Sequence, residues 1–475
     1  MTILSSINTN YVPDAEHVGG KAHGLFMMEQ MGLKVPEFIV VPCSYSHIQP
    51  DPDMFTTYLK SALRHQFAPT TIFSVRSGAP ISMPGMMDTL LNLGITDDNF
   101  SDVVIRYGKS AASNIYARLV RQFSVFEGMD DKKFAEVENA VNVFYGILDP
   151  ADRNQALLDG YKNVRKRELP SRNEQIVQAV KWVWESYNSE RAIAYREINN
   201  IPHNIGTAVV IQRMVFGNLS ERCGTGVAFS HNPNTGEKTV MGDFLINGQG
   251  EEVVSGTINT IPIARAAKME EFVSPIKMLR KRIPEIIKAG NYGMLDIEFT
   301  IEDGELYFLQ VREAKCAPKA KVRLVVDKAS SGELTSSDVV NQIMKMLPDM
   351  TFNNVKIEGM QIGTGIGAVE GQVTGKIATT HSQANVFHQA GVPFIYVAEM
   401  TEPTDLVPMS QAEGILTKVG GMLSHAALIA REWGKVAVVA FGEMEIISDT
   451  EITVNGETYD HISLVVEGPD GKVLT

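Results

Sequence analysis

The sequence has few cysteines, no long apolar run and no excess of positive charge. Its three cysteines, Cys43, Cys223 and Cys316, lie far apart. They therefore argue against a disulfide framework or a zinc site and favour a reducing cytoplasm. The formal net charge of −13 at pH 7 argues against nucleic acid as a main partner, because phosphate backbones attract basic surfaces. Apolar runs such as 436–441 have the length of strands, and the N-terminus lacks the basic start and apolar region of a signal peptide, so we expect no membrane association.

The 475 residues are too many for one ordinary core, and the segment pattern predicts an α+β multidomain protein. Residues 1–315 form one large domain, in which a helical insertion of about 101–201 interrupts short strands and glycine turns. A helical connector follows over 316–354, with one helix beginning at Pro318 and another at Thr335, where Thr-x-x-Asp forms a capping box. The short β segments of 355–475 predict a small separate domain.

The most informative stretch is GGMLSHAALIAR, residues 420–431. Two glycines permit a tight turn, Ser424 is a good N-cap, and His425 then lies in the first turn of a helix. A phosphoryl group on His425 would meet free backbone N–H groups and a favourable helix dipole, worth about 0.3–1 kcal/mol if exposed. The alternative is a capping or core histidine, which a lone Ser-His pair would favour. The double glycine and the small-residue helix favour the phosphoryl carrier.

This stretch resembles the phosphohistidine signature GGMTSHAAVVAR of the pyruvate, phosphate dikinase family. The similarity continues back through AEGILT, residues 412–417, and forward to Gly434 and Lys435. The resemblance implies that His425 carries a phosphoryl group. It also implies that the small domain swivels between two sites.

Further segments are similar to the ATP-grasp nucleotide domain of the same family. They are GGK at 19–21, SVRSG at 74–78 leading to SMPGMMDT at 82–89, GTGVAF at 224–229 leading through Asn232 and Pro233 to NGQGE at 247–251, and DIEFT at 296–300 with QVR at 310–312. The SMPGMMDT loop favours this family over phosphoenolpyruvate synthase.

The resemblance also implies which residues form the nucleotide site. Positive side chains would contact the phosphates of ATP, and they are Lys21, Arg76, Arg312 and the weaker candidate Arg118. Polar and acidic side chains would form the ATP and Mg²⁺ site, and they are Glu298, Gln310, Asp296 and Glu251, with Asp296 and Glu298 as metal ligands and Arg312 also catalytic. Phosphoryl transfer depends on such positioning and charge neutralisation, and Mg²⁺ takes one or two carboxylates. A GGK or SGxP segment alone would more often be an ordinary turn.

The segments 294–301 and 305–312 predict a β-hairpin. Alternation places Asp296 and Glu298 on one face. A two-residue turn would mix polar and apolar residues on each face. We therefore predict a three-residue loop with Gly304 in the left-handed conformation, pairing Asp296 with Gln310 and Glu298 with Phe308. The predicted register builds the floor of an Mg·ATP site.

The sequence also departs from the family. A complete dikinase has a further (β/α)₈ barrel for pyruvate or phosphoenolpyruvate, which needs about 250 residues, and we expect no such barrel in these 475 residues. Leu423 stands where relatives have a threonine that is phosphorylated for regulation, and Ala398 lies near the position of an arginine in relatives.

Three functions follow as alternatives. The first is ATP-dependent dikinase phosphotransfer. In it His425 takes a phosphoryl group with release of AMP, inorganic phosphate gives pyrophosphate, and pyruvate is the final acceptor through a separate chain or a missing domain. The second is the same phosphohistidine chemistry with another acceptor, and the third is a non-catalytic nucleotide-binding regulator. A homodimer is compatible with each of them.

Overall fold

The computed structural model describes residues 3–475, apart from 7, 49–51, 146–148, 256–259, 347–356, 358 and 469. The chain separates into two compact units. The first consists of Met1–Ser220 with Tyr307–Leu309, and the second of Glu221–Leu306 with Gln310–Thr475. The predicted domain boundaries at 315 and 354 remain a prediction, and the second one lies outside the described residues.

The first unit contains an antiparallel sheet and a helical region. Its strands are β1 (Leu4–Ser5), β2 (Phe38–Val41), β3 (Phe73–Gly78), β4 (Thr89–Leu93) and β5 (Ala208–Arg213). They lie in the order β1-β2-β5-β3-β4. Its helices are α1 (Ala15–Gln30), α2 (Tyr45–Ile48), α3 (Pro52–Gln66), α4 (Phe100–Tyr107), α5 (Lys109–Phe126), α6 (Asp131–Tyr145), α7 (Pro150–Arg165), α8 (Arg172–Ser186) and α9 (Glu190–Ile198). The run from α4 to α9 confirms that residues 101–201 are largely helical.

The second unit begins with a sheet of the strands β6 (Gly224–Phe229), β7 (Met241–Ile246), β8 (Ile261–Pro262), β9 (Leu295–Glu302) and β10 (Glu305–Glu313). Within β10, residues Tyr307–Leu309 belong to the first unit. Their order is β10-β9-β6-β7-β8. The accompanying helices are α10 (Gly250–Ser255), α11 (Ile263–Ala266) and α12 (Glu270–Gly290). Phe299 of β9 stacks on Phe244, which packs edge-on against Phe272 of α12, so the apolar face of the sheet is covered by this helix.

The β9–β10 hairpin confirms the shared face but not the predicted loop. Asp303 and Gly304 both have positive φ angles, of 50° and 80°, which is the mark of a two-residue turn rather than a three-residue loop. At the other end of the hairpin, the Ala314 amide donates to the Met294 carbonyl, which places Asp296 opposite Arg312 and not opposite Gln310. The register therefore differs by one residue between the two ends. An extra residue in β10 accommodates this difference, and the prediction failed because it assumed a regular ladder.

Two helices follow the sheet, α13 (Pro318–Ser330) and α14 (Ser336–Met346). Both begin where the sequence predicts. Thr335 and Asp338 form the expected capping box, since the Thr335 amide donates to the Asp338 carboxylate at 3.1 Å and the Asp338 amide donates to Thr335 Oγ1 at 3.2 Å.

A closed seven-stranded barrel and a small three-stranded sheet complete the second unit. The barrel order is β11-β15-β14-β13-β12-β19-β20, and the small sheet is β16-β17-β18. The strands are β11 (Gln361–Val369), β12 (Gly371–Ala378), β13 (Phe394–Ala398), β14 (Gly414–Thr417), β15 (Val436–Val439), β16 (Met444–Ser448), β17 (Glu451–Val454), β18 (Glu457–Tyr459), β19 (His461–Glu467) and β20 (Asp470–Leu474). The helices are α15 (His381–Gln389), a 3₁₀ turn at Pro403–Asp405, α16 (Leu406–Gln411) and α17 (His425–Trp433). Buried Ile395, Leu416, Val438 and Leu464 fill the barrel core.

In the described part of the chain, no helix is both long and apolar enough to cross a bilayer.

Candidate functional site

The turn that carries His425 has the predicted local structure. It leaves β14, passes through Gly420 with a φ of 123°, and enters α17 at His425. Ser424 is the N-cap, and its hydroxyl accepts from the Ala427 amide at 3.4 Å. We call residues 420–425 the carrier turn. Its geometry places the imidazole at the positive end of the helix, as the sequence predicts.

The ring of His425 is held in a neutral form. Its Nδ1 atom lies 3.3 Å from Thr401 Oγ1, whereas Nε2 is sealed from solvent and has no hydrogen-bond partner among the described residues. Burial lowers the pKa of His425 to about 4, although the negative charge of Asp405 opposes this shift. If Nδ1 donates to Thr401, the lone pair is on Nε2. A neutral imidazole with an available lone pair is the form that attacks phosphorus.

Asp405 is a neighbour of His425 that the sequence analysis missed. Its carboxylate accepts hydrogen bonds from Tyr396 Oη at 2.9 Å and from the Glu402 backbone amide at 2.7 Å. It also contacts His381 Nε2 at 2.6 Å. These contacts fix the carboxylate at a place from which its charge acts on His425. The signal available in the sequence was the segment 402–405, in which Asp405 caps the short 3₁₀ turn.

Asp296 and Arg312 form a buried ion pair on the second sheet. Arg312 approaches Asp296 Oδ2 with Nε at 2.7 Å and Nη2 at 2.6 Å, and the Asp296 side chain is 2% exposed. Asp296 Oδ1 has no hydrogen-bond partner in the described part of the chain. Burial alone would lower the pKa of Arg312, but the carboxylates of Asp296 and Glu298 raise it. The structure thus brings three of the predicted site residues together.

Asp243 adds a third acid to the face that carries Asp296 and Glu298, and the sequence analysis missed it as well. Val227 of β6 pairs with Glu298 on one side and with Asp243 of β7 on the other, so all three side chains point to one face. Burial raises the pKa of Asp243. Its Oδ2 atom lies 4.0 Å from the position that a Cβ atom on Gly421 would take, so the carrier turn lies over this face. The alternation of residues 241–245 was the available signal.

Leu423 explains part of that contact. It is 5% exposed and belongs to one apolar cluster with Val227, Phe229 and Leu245. Leu423 therefore packs against the second sheet.

In the first unit, the GGK segment lies at a kink inside α1, where Gly19 has non-helical angles, and it packs against the strand of Arg76. A Cβ atom on Gly19, whose φ is 77°, would lie 1.6 Å from the Gly78 carbonyl oxygen, so only glycine fits. Gly78 in turn lies 3.6 Å, measured from its ideal Cβ position, from the Cβ atom of Lys21. Arg76 Nη1 donates to the Leu309 carbonyl at 3.4 Å. Lys21 and Arg76 thus belong to two contacting segments.

For the remaining predicted residues, the structure gives the position in the fold but does not indicate a role. Arg118 lies partly buried in α5, and Gln310 is buried in β10. Glu251 lies in α10, but its side chain is outside the described residues. A nucleotide site formed by these residues together with Lys21, Arg76 and Asp296 stays a prediction. Among the residues that the structure describes, no three His, Cys, Asp or Glu side chains group as a metal site.

Comparison with known proteins gives two family matches. Residues 54–283 match the model of the pyruvate phosphate dikinase AMP/ATP-binding domain, and residues 391–459 match the mobile domain of PEP-utilising enzymes.

Curated relatives resemble the chain over most of its length. The chain is 35% identical to a pyruvate, phosphate dikinase of Clostridium symbiosum over 96% of this chain and 56% of that protein. It is 33% identical to the chloroplastic pyruvate, phosphate dikinase of Flaveria trinervia over 96% of this chain and 51% of that protein. For pyruvate, phosphate dikinase 2 of Zea mays the identity is 34% over 89% of this chain and 51% of the relative. The chain therefore spans about half the length of the curated relatives it matches.

Proposed function

Since this chain is a pyruvate, phosphate dikinase-like protein, we propose that it carries out the nucleotide half of dikinase phosphotransfer. A ring nitrogen of His425 attacks the β-phosphorus of ATP, and the bond to AMP breaks. Inorganic phosphate then attacks the outer phosphorus, pyrophosphate leaves, and one phosphoryl group stays on His425. The final acceptor is pyruvate, which becomes phosphoenolpyruvate on a separate chain or on a domain outside these residues.

The state of His425 is the observation that carries this proposal. Its low pKa keeps the ring unprotonated at neutral pH, and the contact of Nδ1 with Thr401 leaves Nε2 as the candidate nucleophile. Nε2 is sealed from solvent, so the phosphates of ATP can reach it only after the side chains around it rearrange while the turn stays docked on the sheet. The match to a mobile domain supports movement of the barrel to a second site after the phosphoryl group has been taken up.

The acids of the second sheet fit a magnesium ion. Asp296 Oδ1 is a buried carboxylate oxygen with no hydrogen-bond partner in the described region, and Glu298 lies two residues along the same face. Mg²⁺ is held in such sites by one or two carboxylates and by substrate phosphates. Asp296 and Glu298 are therefore the proposed ligands. The ion would neutralise charge on the phosphates, and Arg312 would contribute further positive charge to them.

Phosphate and nucleotide contacts are proposed for the remaining family residues. Lys21 and Arg76 would hold the phosphates, with Arg118 as a weaker contact. Gln310 and Glu251 would contact the nucleotide. The proposal is supported by the packing of the GGK segment of α1 against the end of β3, where Lys21 lies near the segment of Arg76. A cytoplasmic location and a homodimer also stay predictions.

A partial-reaction assay tests the proposed function. The chain is incubated with Mg²⁺ and ATP, with and without inorganic phosphate, and the release of AMP and pyrophosphate is measured. We expect AMP in both reactions and pyrophosphate only with phosphate. AMP release that continues over several turnovers without phosphate would contradict the dikinase sequence. The absence of AMP in both reactions would favour the nucleotide-binding regulator.

One observation favours a second candidate, which is the same chemistry with another acceptor. Ala398 lies at the end of β13. The family resemblance places an arginine of relatives near this position, and Ala398 brings no charge to the phosphate. Pyruvate should discharge the phosphorylated chain in the presence of a barrel protein of the family. If pyruvate has no effect there, the second candidate is preferred.

A further inference from the structure

Arg431, at the end of α17, is a fully buried cation. Its Nη1 atom donates to the Met422 carbonyl at 2.7 Å, and its Nε atom donates to Asn234 Oδ1 at 3.1 Å. Met422 belongs to the carrier turn, whereas Asn234 lies in the loop that follows β6. One guanidinium therefore bonds both to the turn that presents His425 and to the second sheet.

Asn234 uses the other end of its amide on the barrel. Its Nδ2 atom donates to the Gly367 carbonyl of β11 at 3.1 Å, and the residue is 5% exposed. The backbone N–H of Asn234 donates to Asn232 Oδ1 at 2.9 Å, and this hydrogen bond fixes the loop. A single buried side chain thus provides two hydrogen bonds between the sheet and the barrel.

Arg431 depends on the loop that follows β6 for one of its acceptors and on Asp296 of the second sheet for its counter-charge. In the described part of the chain its hydrogen-bond acceptors are an amide oxygen, a carbonyl oxygen and, at 3.4 Å, the sulfur of Met422. Burial lowers the pKa of Arg431 to about 10, and the carboxylate of Asp296 opposes this shift. A buried cation is costly unless its partners are in place. Loss of the Asn234 acceptor or of the Asp296 charge should therefore favour separation of the carrier turn from the sheet.

We propose that Arg431 is a positioning residue that, together with Asn234, holds the carrier turn docked on the acid-bearing face of the second sheet. The purpose of the docking rests on the proposed function, because it orients His425 toward the bound nucleotide. The existence of the docking contact does not rest on it. The contact must break whenever the barrel moves away from the sheet.

A distance measurement tests the contact without any activity. Nitroxide labels are attached at the exposed positions Glu271→Cys on α12 and Glu457→Cys on β18, and their separation is measured by pulsed electron resonance. The three native cysteines are all buried, so they do not compete for the label. The variants Asn234→Ala and Arg431→Lys are compared with the wild type, the second because it keeps the charge but loses the forked geometry.

The matched control is the exposed ion pair between Lys319 and Glu370. It joins α13 to the barrel and is therefore a second polar link to the barrel, but an exposed one. Lys319 Nζ lies 2.8 Å from Glu370 Oε2, but the Lys319 side chain is 61% exposed, so the pair should contribute little. Lys319→Ala should leave the distance distribution unchanged.

We expect Asn234→Ala to raise the ratio of undocked to docked molecules about tenfold, the effect of leaving one buried donor unsatisfied. Arg431→Lys should act in the same direction, and phosphorylation of His425 should slow without loss of ATP binding. A wild-type distance distribution in Asn234→Ala would overturn the proposal. If the wild-type chain takes up no phosphoryl group, the proposed function fails, while the distances still decide whether the contact exists.

Discussion

The buried histidine makes a quantitative prediction about stability and pH. His425 has a pKa of about 4 in the folded chain, whereas an exposed histidine in an unfolded chain has about 6.5. Between these values the unfolded state binds a proton that the folded state does not bind. The free energy of unfolding therefore falls as the pH drops through this window. Above pH 6.5 the residue makes no such contribution.

The magnitude follows from the size of the shift. Each pKa unit corresponds to about 1.36 kcal/mol, so the wild type should lose roughly 2.5 kcal/mol between pH 7.5 and pH 4.5 relative to a variant without this imidazole. His425→Gln is that variant, because it keeps a polar side chain but does not titrate.

Trp433 reports on the relevant transition because it is the last residue of α17. The other two tryptophans, Trp182 and Trp184, lie in α8 of the first unit and are replaced by phenylalanine in all samples. Urea unfolding is then followed by fluorescence from pH 4.5 to 7.5. The control His388→Gln removes an exposed imidazole from α15 in the same unit. Parallel stability curves for the wild type and His425→Gln would refute the burial argument.

Three further substitutions give defined outcomes. Asp405→Asn removes a negative charge that favours protonation of His425, so the pKa of His425 in an NMR titration should fall further; a rise would contradict the assigned interaction. Asp296→Asn removes the only carboxylate that, among the described residues, is paired directly with Arg312 and should lower the free energy of unfolding by about 2–3 kcal/mol in urea titrations, with Asp303→Asn as an exposed control; equal losses would contradict the ion-pair argument. Ser424→Ala removes the N-cap of α17 and should cost about 1 kcal/mol in the same assay, and no loss would show that the cap is dispensable.

Local signals allowed the carrier turn to be predicted from the sequence. Two glycines, a serine N-cap and a helix of small residues act within a few positions of His425, so tertiary contacts were not needed to find the structure. The capping box at Thr335 was found for the same reason. The alternation of Asp296 and Glu298 also decided their common face without knowledge of the neighbouring strands.

Contacts between distant segments could not be predicted. The predicted pairing of the β9–β10 hairpin was wrong because one extra residue in β10 changes the register. Nothing in the alternation of polar and apolar residues shows where that extra residue lies. The approach of Asp243 to the carrier turn and the burial of the His425 ring depend on how barrel and sheet pack. Arg431 was part of the quoted motif, but its role required Asn234, which lies 197 positions earlier in the chain.

The central claim is that one imidazole accepts a phosphoryl group from ATP. ATP labelled on the β-phosphate is mixed with Mg²⁺ and the chain, and the protein is examined for acid-labile label. The account predicts label on the wild type and none on His425→Gln, with the label mapped to the peptide that contains residues 420–431. Equal labelling of both proteins, or label on another peptide, would contradict it.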